Sequence, residues 1–421
     1  MREPLNRLKK LMIGGAILLG GIVVIPVAAT ADVVSDWNAT AVTVLNNAAQ
    51  GRNAPYLSMV HAAIYDAVNG IDKRYTAFGA TPTSDTRGAS KEAAASAAAY
   101  YLLLTMFPSQ QSVLDPAYAA SLAAIPDGTA KTKGILVGQE MAVAWIALRV
   151  GDGRDANVPY TFGTGPGVYQ RTPGPGMAPT SPVSTWLPQM KPFALERASQ
   201  FRAYGPPDLT SERYARDFNT VKSLGSATSS ERTAEETEIG LFHTENPNIF
   251  WWHNLRDFAA TKHLDTAANA RLFAMVVIAW GDASQACFDS KYYYNFWRPF
   301  TAITAADTDN NPDTTVDPAW MPLAPTPPHP EYPAAHGCVA GATAETLRRF
   351  FGTKHLVMTF TSSVAGTVPH TYHSTDDLLD EIVAARVYGG MHFPTSVIHG
   401  EELGRKVAKY IADNYFRPLR R

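Results

Sequence analysis

The sequence predicts a mainly α-helical protein, and three observations lead to this fold class. Long alanine-rich stretches repeat their apolar residues with a helical period. Helix-capping residues precede several of these stretches, and glycine or proline follows them. We find no convincing β-hairpin signal and no internal repeat. The 421 residues, 46% of them hydrophobic, are enough to bury the core of one large domain or of two fused domains.

Boundary signals place five helices along the chain. Ser90 and the two residues after it open an alanine-rich run that continues to Phe107. Gly151 ends the second helix, and Asp265 is the N-cap of a long apolar helix that runs through Trp280 towards Lys291. The predicted helices are residues 90–107, 131–150, 266–291, 334–351 and 381–388.

Two long segments rich in glycine and proline, residues 155–190 and 304–333, interrupt the helices. Long irregular segments in a compact domain are usually functional or disordered. The second segment lies between two stretches with candidate functional residues, so we interpret it as a pocket wall. The first segment predicts a division into an N-terminal helical region, residues 32–190, and a catalytic region, residues 191–421. One continuous domain is the alternative.

Residues 1–31 have the pattern of a signal peptide. Four basic residues precede an apolar run from Leu11 to Val27, and Ala29-Thr30-Ala31 supplies small residues for cleavage before Asp32. We therefore expect export to the periplasm or the exterior, with no stable membrane span after cleavage. A retained membrane anchor is the alternative. No later stretch is apolar enough to cross a bilayer.

The overall charge and the cysteine content exclude some functions. A formal net charge of −2, with no basic stripe, argues against nucleic-acid binding. The two cysteines, Cys287 and Cys338, are too few for a cysteine-type zinc site. After export they would form one disulfide or remain two buried thiols, and both interpretations stay open.

The stretch "KYYYNFWRP", residues 291–299, predicts a buried pair of cations. On a helix a separation of seven is almost two turns, so Lys291 and Arg298 would share one face, and Pro299 would end the helix after them. Aromatic residues between the two cations occupy the other faces, which predicts burial, and buried cations need an anionic partner. The alternative is two long side chains that reach out to solvent.

The stretch "PPHPEYPAAHG", residues 327–337, predicts a histidine at a helix N-terminus. Prolines keep the chain extended, and a helix then starts near Ala334, with His336 in its first turn. Free backbone N–H groups at such an end attract an anion, and a histidine there can transfer protons to a bound oxyanion. A histidine that only caps the helix is the alternative.

The stretch "ARVYGGMHFP", residues 385–394, contains a third candidate pair. Arg386 and His392 are six positions apart, which on a continuous helix would point them in different directions. Gly389-Gly390 supplies a break that would let both side chains face one point. A simple helix stop, with Arg386 paired to Glu381 or Asp380, is the alternative.

In this order and spacing, the three stretches resemble the signature shared by vanadium-dependent haloperoxidases and the type-2 phosphatidic acid phosphatase (PAP2) superfamily. The signature reads Lys-x6-Arg-Pro, Pro-x-x-His and Arg-x3-Gly-x-His, and the resemblance covers roughly residues 280–405. It implies an all-α fold with a helical-bundle core of the haloperoxidase/PAP2 type. It also implies one site for vanadate or phosphate, because vanadate mimics the transition state of phosphoryl transfer.

The resemblance assigns roles to individual residues of this chain. It implies that Lys291, Arg298 and Arg386 neutralise the oxygens of the oxyanion, with backbone N–H groups at Ala335 contributing. His392 would bind vanadium, or attack phosphorus in a phosphatase, and His336 would be the acid–base histidine on the opposite side. His329, seven positions before His336, matches an extra histidine of bromoperoxidases, which favours bromide or iodide; a plain loop histidine is the alternative.

Three departures from the family pattern concern the same site. Ala334 and Ala335 replace a serine and a glycine, and Ala385 replaces a serine. A lost hydrogen bond to a charged oxygen is worth about 1.5–3 kcal/mol, so we expect weaker oxyanion binding rather than none. Ser396 replaces the aspartate that usually follows the final histidine, so the residue that orients His392 must lie elsewhere.

The sequence thus predicts an exported haloperoxidase with vanadate as cofactor and hydrogen peroxide and halide as substrates. The first alternative is a phosphatase that hydrolyses phosphate esters with His392 as nucleophile. The second is a non-catalytic protein that binds phosphate or vanadate. Whether the protein forms a homo-oligomer is left open.

Overall fold

The computed structural model describes residues 32–171 and 181–419, and helices dominate this part of the chain. The predicted signal peptide, residues 1–31, lies outside the described residues. In chain order the helices are α1 (Val33–Ala48), α2 (Asn53–Asp72), α3 (Lys91–Met106), α4 (Gln111–Ala123), α5 (Thr129–Leu148), α6 (Glu212–Leu224), α7 (Ala234–Phe242), α8 (Pro247–Ala260), α9 (Thr266–Tyr294), α10 (Pro299–Thr304), α11 (Ala335–Phe351), α12 (Thr375–Tyr388) and α13 (Pro394–Asn414). The all-α prediction is confirmed.

Two predicted helix caps are present. The Ser90 side chain accepts a hydrogen bond from the Ala93 N–H at the start of α3, and Asp265 accepts one from the Ala268 N–H at the start of α9. In both cases the side chain satisfies a backbone donor that the first helical turn leaves free. Among the described residues no helix is long and apolar enough to span a membrane.

A small β-hairpin was not predicted. Strands β1 (Met358–Phe360) and β2 (His370–Tyr372) pair antiparallel, with Met358 opposite Tyr372. Strands of three residues are too short to show a clear alternation of apolar and polar residues, which explains why the sequence did not reveal them. Helix α12 also begins six residues earlier than predicted, where the Ser374 side chain caps the Asp377 N–H.

The central helix α9 is buried along most of its 29 residues. It packs against α2 on one side and against α11 and α13 on another. Phe273 of α9 stacks on His61 of α2, with ring centroids 5.3 Å apart. A helix that is apolar on every face forms the core of a large domain, which is the position that α9 takes.

The prediction that Lys291 and Arg298 share one helix face is wrong. Helix α9 ends at Tyr294, because Asn295 adopts a left-handed conformation with φ +50°. Arg298 instead precedes Pro299 as the N-cap residue of α10. Both cations are nevertheless fully buried, as predicted, whereas Tyr293 between them is 62% exposed.

Helices α11 and α13 approach each other closely through glycines. An added Cβ at Gly400 would lie 2.7 Å from the Ala334 carbonyl oxygen, and one at Gly404 would lie 2.6 Å from the Ala342 backbone nitrogen. Gly337 and Gly341 of α11 would clash in the same way with the backbone of α13. This packing fixes the start of α11, where His336 lies.

The described residues form one main hydrophobic core, which runs from Val34 to Phe416 and includes both predicted regions. A second, smaller apolar cluster contains Trp186, Leu187, Met190 and Phe288. It joins the segment after residue 181 to helix α9. The boundary at residue 190 stays a prediction.

Candidate active site

The three predicted cations come from three elements and are all buried. Lys291 lies in the last turn of α9, Arg298 precedes α10, and Arg386 lies in the last turn of α12. Their exposed fractions are 0%, 0% and 1%. Burial lowers the pKa of Lys291 to about 8, of Arg298 to about 10 and of Arg386 to about 9. A shared cause, desolvation, thus works against each positive charge.

Lys291 is held by the loop that precedes α11. Its Nζ donates to the carbonyl oxygen of Pro330 at 2.8 Å and to that of Glu331 at 3.0 Å. The ammonium group therefore ties the end of α9 to the proline-rich segment 304–333.

Arg298 lies at the centre of the site. Its guanidinium donates to three carbonyl oxygens, those of Pro327 (3.1 Å), His329 (2.8 Å) and Met391 (2.9 Å). It also contacts two imidazoles, His392 Nε2 at 3.0 Å and His329 Nδ1 at 2.9 Å. Because a guanidinium can only donate, His392 Nε2 accepts, and the proton of that ring lies on Nδ1. His329 Nδ1 also lies 3.1 Å from the Pro330 carbonyl oxygen, and His329 Nε2 lies 3.4 Å from the Arg298 guanidinium.

Arg386 has fewer partners than Arg298. One terminal nitrogen donates to the His243 carbonyl oxygen at 3.0 Å, and the other contacts the Met391 sulfur at 2.9 Å. Its buried Nε has no hydrogen-bond partner among the described residues. Buried polar atoms are nearly always paired, so this guanidinium retains capacity for a ligand.

His392 is oriented by Glu331, a residue to which the sequence analysis assigned no role. The His392 Nδ1–H donates to Glu331 Oε1 at 2.9 Å, and the Phe393 N–H donates to the same oxygen at 3.0 Å. Burial raises the pKa of Glu331 to about 7, although Lys291 and Arg298 act to lower it. The hydroxyl of Ser396, which replaces the usual aspartate, donates to the Glu331 carbonyl oxygen at 3.4 Å and also acts to lower the pKa of the Glu331 carboxyl. The sequence contained a signal for this role, because Glu331 is the one carboxylate in "PPHPEYPAAHG" and lies between the two candidate histidines His329 and His336.

His336 lies in the first turn of α11, as the sequence predicted, although the helix begins at Ala335 rather than at Ala334. Burial lowers its pKa well below the ordinary value, and the nearby Arg386 and His243 lower it further. No side chain caps this helix, because the N-cap residue is Ala334. The backbone N–H groups around Ala335 are therefore not used by a cap, which suits an anion.

His329 lies against Arg298 and the ring of Phe288. Its ring centroid is 5.2 Å from that of Phe288. Burial lowers its pKa well below the ordinary value, and the charges of Lys291 and Arg298 lower it further.

These groups meet at one cavity of about 420 Å³. His329, Ala335, His336, Arg386 and His392 all line it. Lys291 and Arg298 are not among the lining residues and lie behind the cavity wall. Part of the predicted wall, Pro325, Pro327 and Pro328 of segment 304–333, is present as expected.

A second group of titratable residues, which the sequence analysis missed, lies behind Arg386. Glu381 Oε1 contacts His243 Nε2 at 2.9 Å and His370 Nδ1 at 2.8 Å, and His370 Nε2 contacts Glu238 at 2.9 Å. These residues are far apart in sequence and share no motif, so no local pattern indicated them. Both cysteines are buried free thiols.

Comparisons with known proteins agree with this architecture. The profile of the vanadium chloroperoxidase (VCPO) second helical-bundle domain matches residues 271–421. The chain is 27% identical to the vanadium chloroperoxidase of Curvularia inaequalis, in a match that covers 71% of this chain and 61% of that protein's length.

Solved structures extend the likeness to nearly the whole fold. A bacterial vanadium-dependent iodoperoxidase superposes with a TM-score of 0.78 and 22% identity, over 92% of this chain and 97% of its own. The holo form of a bacterial vanadium-dependent chloroperoxidase superposes with a TM-score of 0.68 and 18% identity, over 92% of this chain and 93% of its own. The resemblance predicted from the sequence is confirmed: residues 271–421 match the second helical-bundle domain of the vanadium chloroperoxidases, and the chain has the helical-bundle fold of the bacterial vanadium haloperoxidases.

Proposed function

We propose that the protein is a vanadate-dependent haloperoxidase, an enzyme that oxidises halide with hydrogen peroxide. The observation that carries this proposal is a cavity lined by Arg386 and the neutral imidazoles of His336 and His392, with Lys291, Arg298 and Glu331 buried behind its wall. The similarity to vanadium chloroperoxidase supports the same activity.

The charge balance of the site favours an oxyanion. Lys291, Arg298 and Arg386 carry three positive charges, and Glu331 is the one carboxylate that touches this group among the described residues. Burial of an unpaired ion costs several kcal/mol even after relaxation. A bound oxyanion would offset this cost, and arginine's planar donor groups suit its oxygens.

The residues present fit vanadate. The free Arg386 Nε and the uncapped N-terminus of α11 would contact its oxygens, and Lys291 and Arg298 would add positive charge from behind the cavity wall. His392 Nε2 would be its protein ligand. That nitrogen now accepts from Arg298, which would have to release it. When bound, vanadate supplies the Lewis-acidic centre at which peroxide is activated towards halide.

The chain's own groups hold and move protons. Glu331 keeps the proton of His392 on Nδ1, which leaves the lone pair on Nε2 and raises the basicity of the ring. His336 is neutral at neutral pH because its pKa is lowered, so it can accept a proton from peroxide and return it to a leaving oxygen.

We further propose bromide or iodide as the preferred halide. This proposal rests on His329, a neutral imidazole in the cavity wall that contacts Arg298 and the Pro330 carbonyl oxygen. Export to the periplasm or the exterior is proposed from residues 1–31 alone.

The test is reconstitution with orthovanadate. Bromination of an acceptor by hydrogen peroxide should require vanadate, and His392→Ala should abolish it. His355→Ala, which changes an exposed histidine outside the cavity, is the matched control and should retain wild-type activity. Full activity of His392→Ala would overturn the site assignment.

A phosphatase is the second candidate, because His392 beside a neutral His336 also suits nucleophilic attack on phosphorus. Release of phosphate from an aryl phosphate, inhibited by vanadate, would favour it. The non-catalytic oxyanion binder is favoured by Ala334, where the family has serine. Tight vanadate binding with neither activity would support that third candidate.

A further inference from the structure

His243 is a histidine of the cavity wall to which the family resemblance assigns no role. It follows helix α7 directly, is 2% exposed and lines the same cavity as His336 and Arg386. Its backbone carbonyl oxygen accepts a hydrogen bond from Arg386 at 3.0 Å, so the two residues are neighbours. The rings of Phe242 and Phe250 pack edge-on against the imidazole, with centroids 5.0 and 5.3 Å away, and restrict its orientation.

The carboxylate of Glu381 determines which nitrogen of His243 carries the proton. Glu381 Oε1 accepts hydrogen bonds from His370 Nδ1 at 2.8 Å and from the Tyr372 hydroxyl at 2.5 Å, and it also contacts His243 Nε2 at 2.9 Å. Burial acts to raise the pKa of Glu381, but hydrogen bonds with His243 and His370 lower it to about 2, so this carboxylate is ionised and can only accept. His243 Nε2 therefore donates, and the lone pair of the neutral ring lies on Nδ1.

Two complementary polar atoms of these neighbouring residues lack a partner. His243 Nδ1, an acceptor, and Arg386 Nε, a donor, are both buried and have no hydrogen-bond partner among the described residues. Burial lowers the pKa of His243 although Glu381 acts to raise it, so the ring is neutral and Nδ1 can accept. Buried polar atoms are nearly always paired. One ligand would satisfy both atoms if it offered an oxygen to Arg386 and an O–H group to His243.

We propose that His243 makes the site selective for oxyanions that carry a proton and excludes those that carry none. This inference rests on the oxyanion site of the proposed function. At neutral pH vanadate and phosphate each retain at least one O–H group, whereas sulfate has none. The O–H group of a protonated oxyanion donates to His243 Nδ1 while another of its oxygens accepts from Arg386. A sulfate oxygen at the same place would face the lone pair of Nδ1 and leave that acceptor unpaired.

The size of the expected effect follows from the unpaired acceptor. A site built to hydrogen-bond an O–H group of its ligand rejects an analogue without that group, because a buried polar atom of the protein then has no partner. A hydrogen bond that involves a charged group changes affinity roughly 10- to 100-fold. At pH 8 the main phosphate species, HPO₄²⁻, has the charge and shape of sulfate but retains one O–H group. We therefore expect the protein to bind phosphate at least about tenfold more tightly than sulfate.

His243→Gln is the variant that tests this role. The glutamine amide can still donate to Glu381 from the position of Nε2, but it places no acceptor at the position of Nδ1. His243→Leu removes the acceptor with an apolar side chain and is a second variant in case His243→Gln does not fold. His253→Gln is the matched control, because His253 also contacts a glutamate, Glu245 at 3.6 Å, and does not line the cavity.

The measurement is calorimetric titration of the vanadate-free protein with inorganic phosphate and, separately, with sulfate at pH 8. The ratio of the sulfate to the phosphate dissociation constant should fall at least about tenfold in His243→Gln and His243→Leu and keep its wild-type value in His253→Gln. Absence of phosphate binding, or equal affinity of the wild type for the two anions, would overturn the proposal. So would a ratio that both His243 variants leave unchanged, which would assign the preference to another acceptor such as His336.

Two outcomes separate this inference from the proposed function. A phosphate preference that depends on His243, in a protein without vanadate-dependent bromination, would support the role of His243 and contradict the haloperoxidase. Vanadate-dependent bromination by a protein that binds phosphate and sulfate equally would support the haloperoxidase and contradict the role of His243.

Discussion

His392 takes its orientation from a carboxylate that lies 61 positions earlier in the chain. The sequence showed that the usual aspartate was absent, since Ser396 stands in its place. It did not show the replacement, because nothing local connects Glu331 with His392. Only the folded chain, in which Lys291 holds the Glu331 carbonyl, brings the two side chains together.

Glu331→Gln should weaken vanadate binding by about 10- to 100-fold, because loss of a charged partner lowers the basicity of a ligating imidazole by that order. Titration of the protein with orthovanadate measures the change. Glu402→Gln, which changes an exposed glutamate of α13 in the same way, is the control. Equal affinities of Glu331→Gln and the wild type would show that another group orients His392.

Glu381 and its two histidines should make stability depend on pH. Burial alone would raise the pKa of Glu381, but hydrogen bonds with His243 and His370 lower it to about 2. The carboxylates of Glu381 and Glu238 raise the pKa of His370 despite its burial. A lowered carboxyl pKa stabilises the fold above the ordinary value of 4.5, and this stabilisation is lost as pH falls towards 2. The raised pKa of His370 stabilises the fold below pH 6.5, and this stabilisation is lost as pH rises through the pKa of the folded state.

Glu381→Gln should therefore lower the free energy of unfolding most between pH 4.5 and 6.5, by about 3 kcal/mol. The difference from wild type should shrink towards pH 2. Denaturant unfolding across this range is the measurement, with Glu231→Gln, an exposed glutamate, as control. A difference that stays constant with pH would contradict the assigned ionisation.

At the scale of elements, local sequence signals predicted the helices but did not predict the junctions between them. Ser90 and Asp265 cap their helices as predicted, because each cap is a hydrogen bond between residues only three positions apart in the sequence. The left-handed turn at Asn295 separates Lys291 from Arg298, and the aromatic residues around it gave no sign of this break. The candidate site residues lie at such junctions, so they were predicted through the family resemblance rather than through helix geometry.

Gly404→Ala should destabilise the pair α11 and α13. The new Cβ would clash with the Cys338 carbonyl oxygen and lie 2.6 Å from the Ala342 nitrogen, both of them backbone atoms that cannot rotate away. Overpacking costs about 1–3 kcal/mol, against a gain of about 1 kcal/mol in helix propensity. Because both contacts are with backbone atoms, we expect a cost at the upper end of this range and therefore a net loss of about 2 kcal/mol in denaturant unfolding.

The control for this variant is Glu402→Ala, an exposed position on the same helix, which should stay within about 0.5 kcal/mol of the wild type. Equal stability of Gly404→Ala and the wild type would show that the helices can move apart freely.

At the scale of the whole molecule, the all-α class was accessible from the sequence, whereas the number of domains was not. The sequence of a buried helix such as α9 does not indicate which segments pack against it. In the structure, α2 covers one side: Phe273 stacks on His61, and an added Cβ at Gly281 would lie 2.8 Å from the Ser58 hydroxyl.

Residues 191–421 expressed alone should therefore fail to unfold cooperatively. Removal of residues 32–190 would expose the α2-facing side of α9, a large apolar surface in water. Thermal unfolding followed by circular dichroism, beside the complete chain, is the measurement. A sharp transition of the fragment would establish two independent domains.

The glycine contacts between α11 and α13 also determine the distance between the two histidines of the candidate site. His336 is the second residue of α11, and His392 lies two residues before α13 begins. Backbone-to-backbone contact therefore sets the gap between the two imidazoles. Side chains of the cavity wall can therefore be replaced while that gap keeps its width.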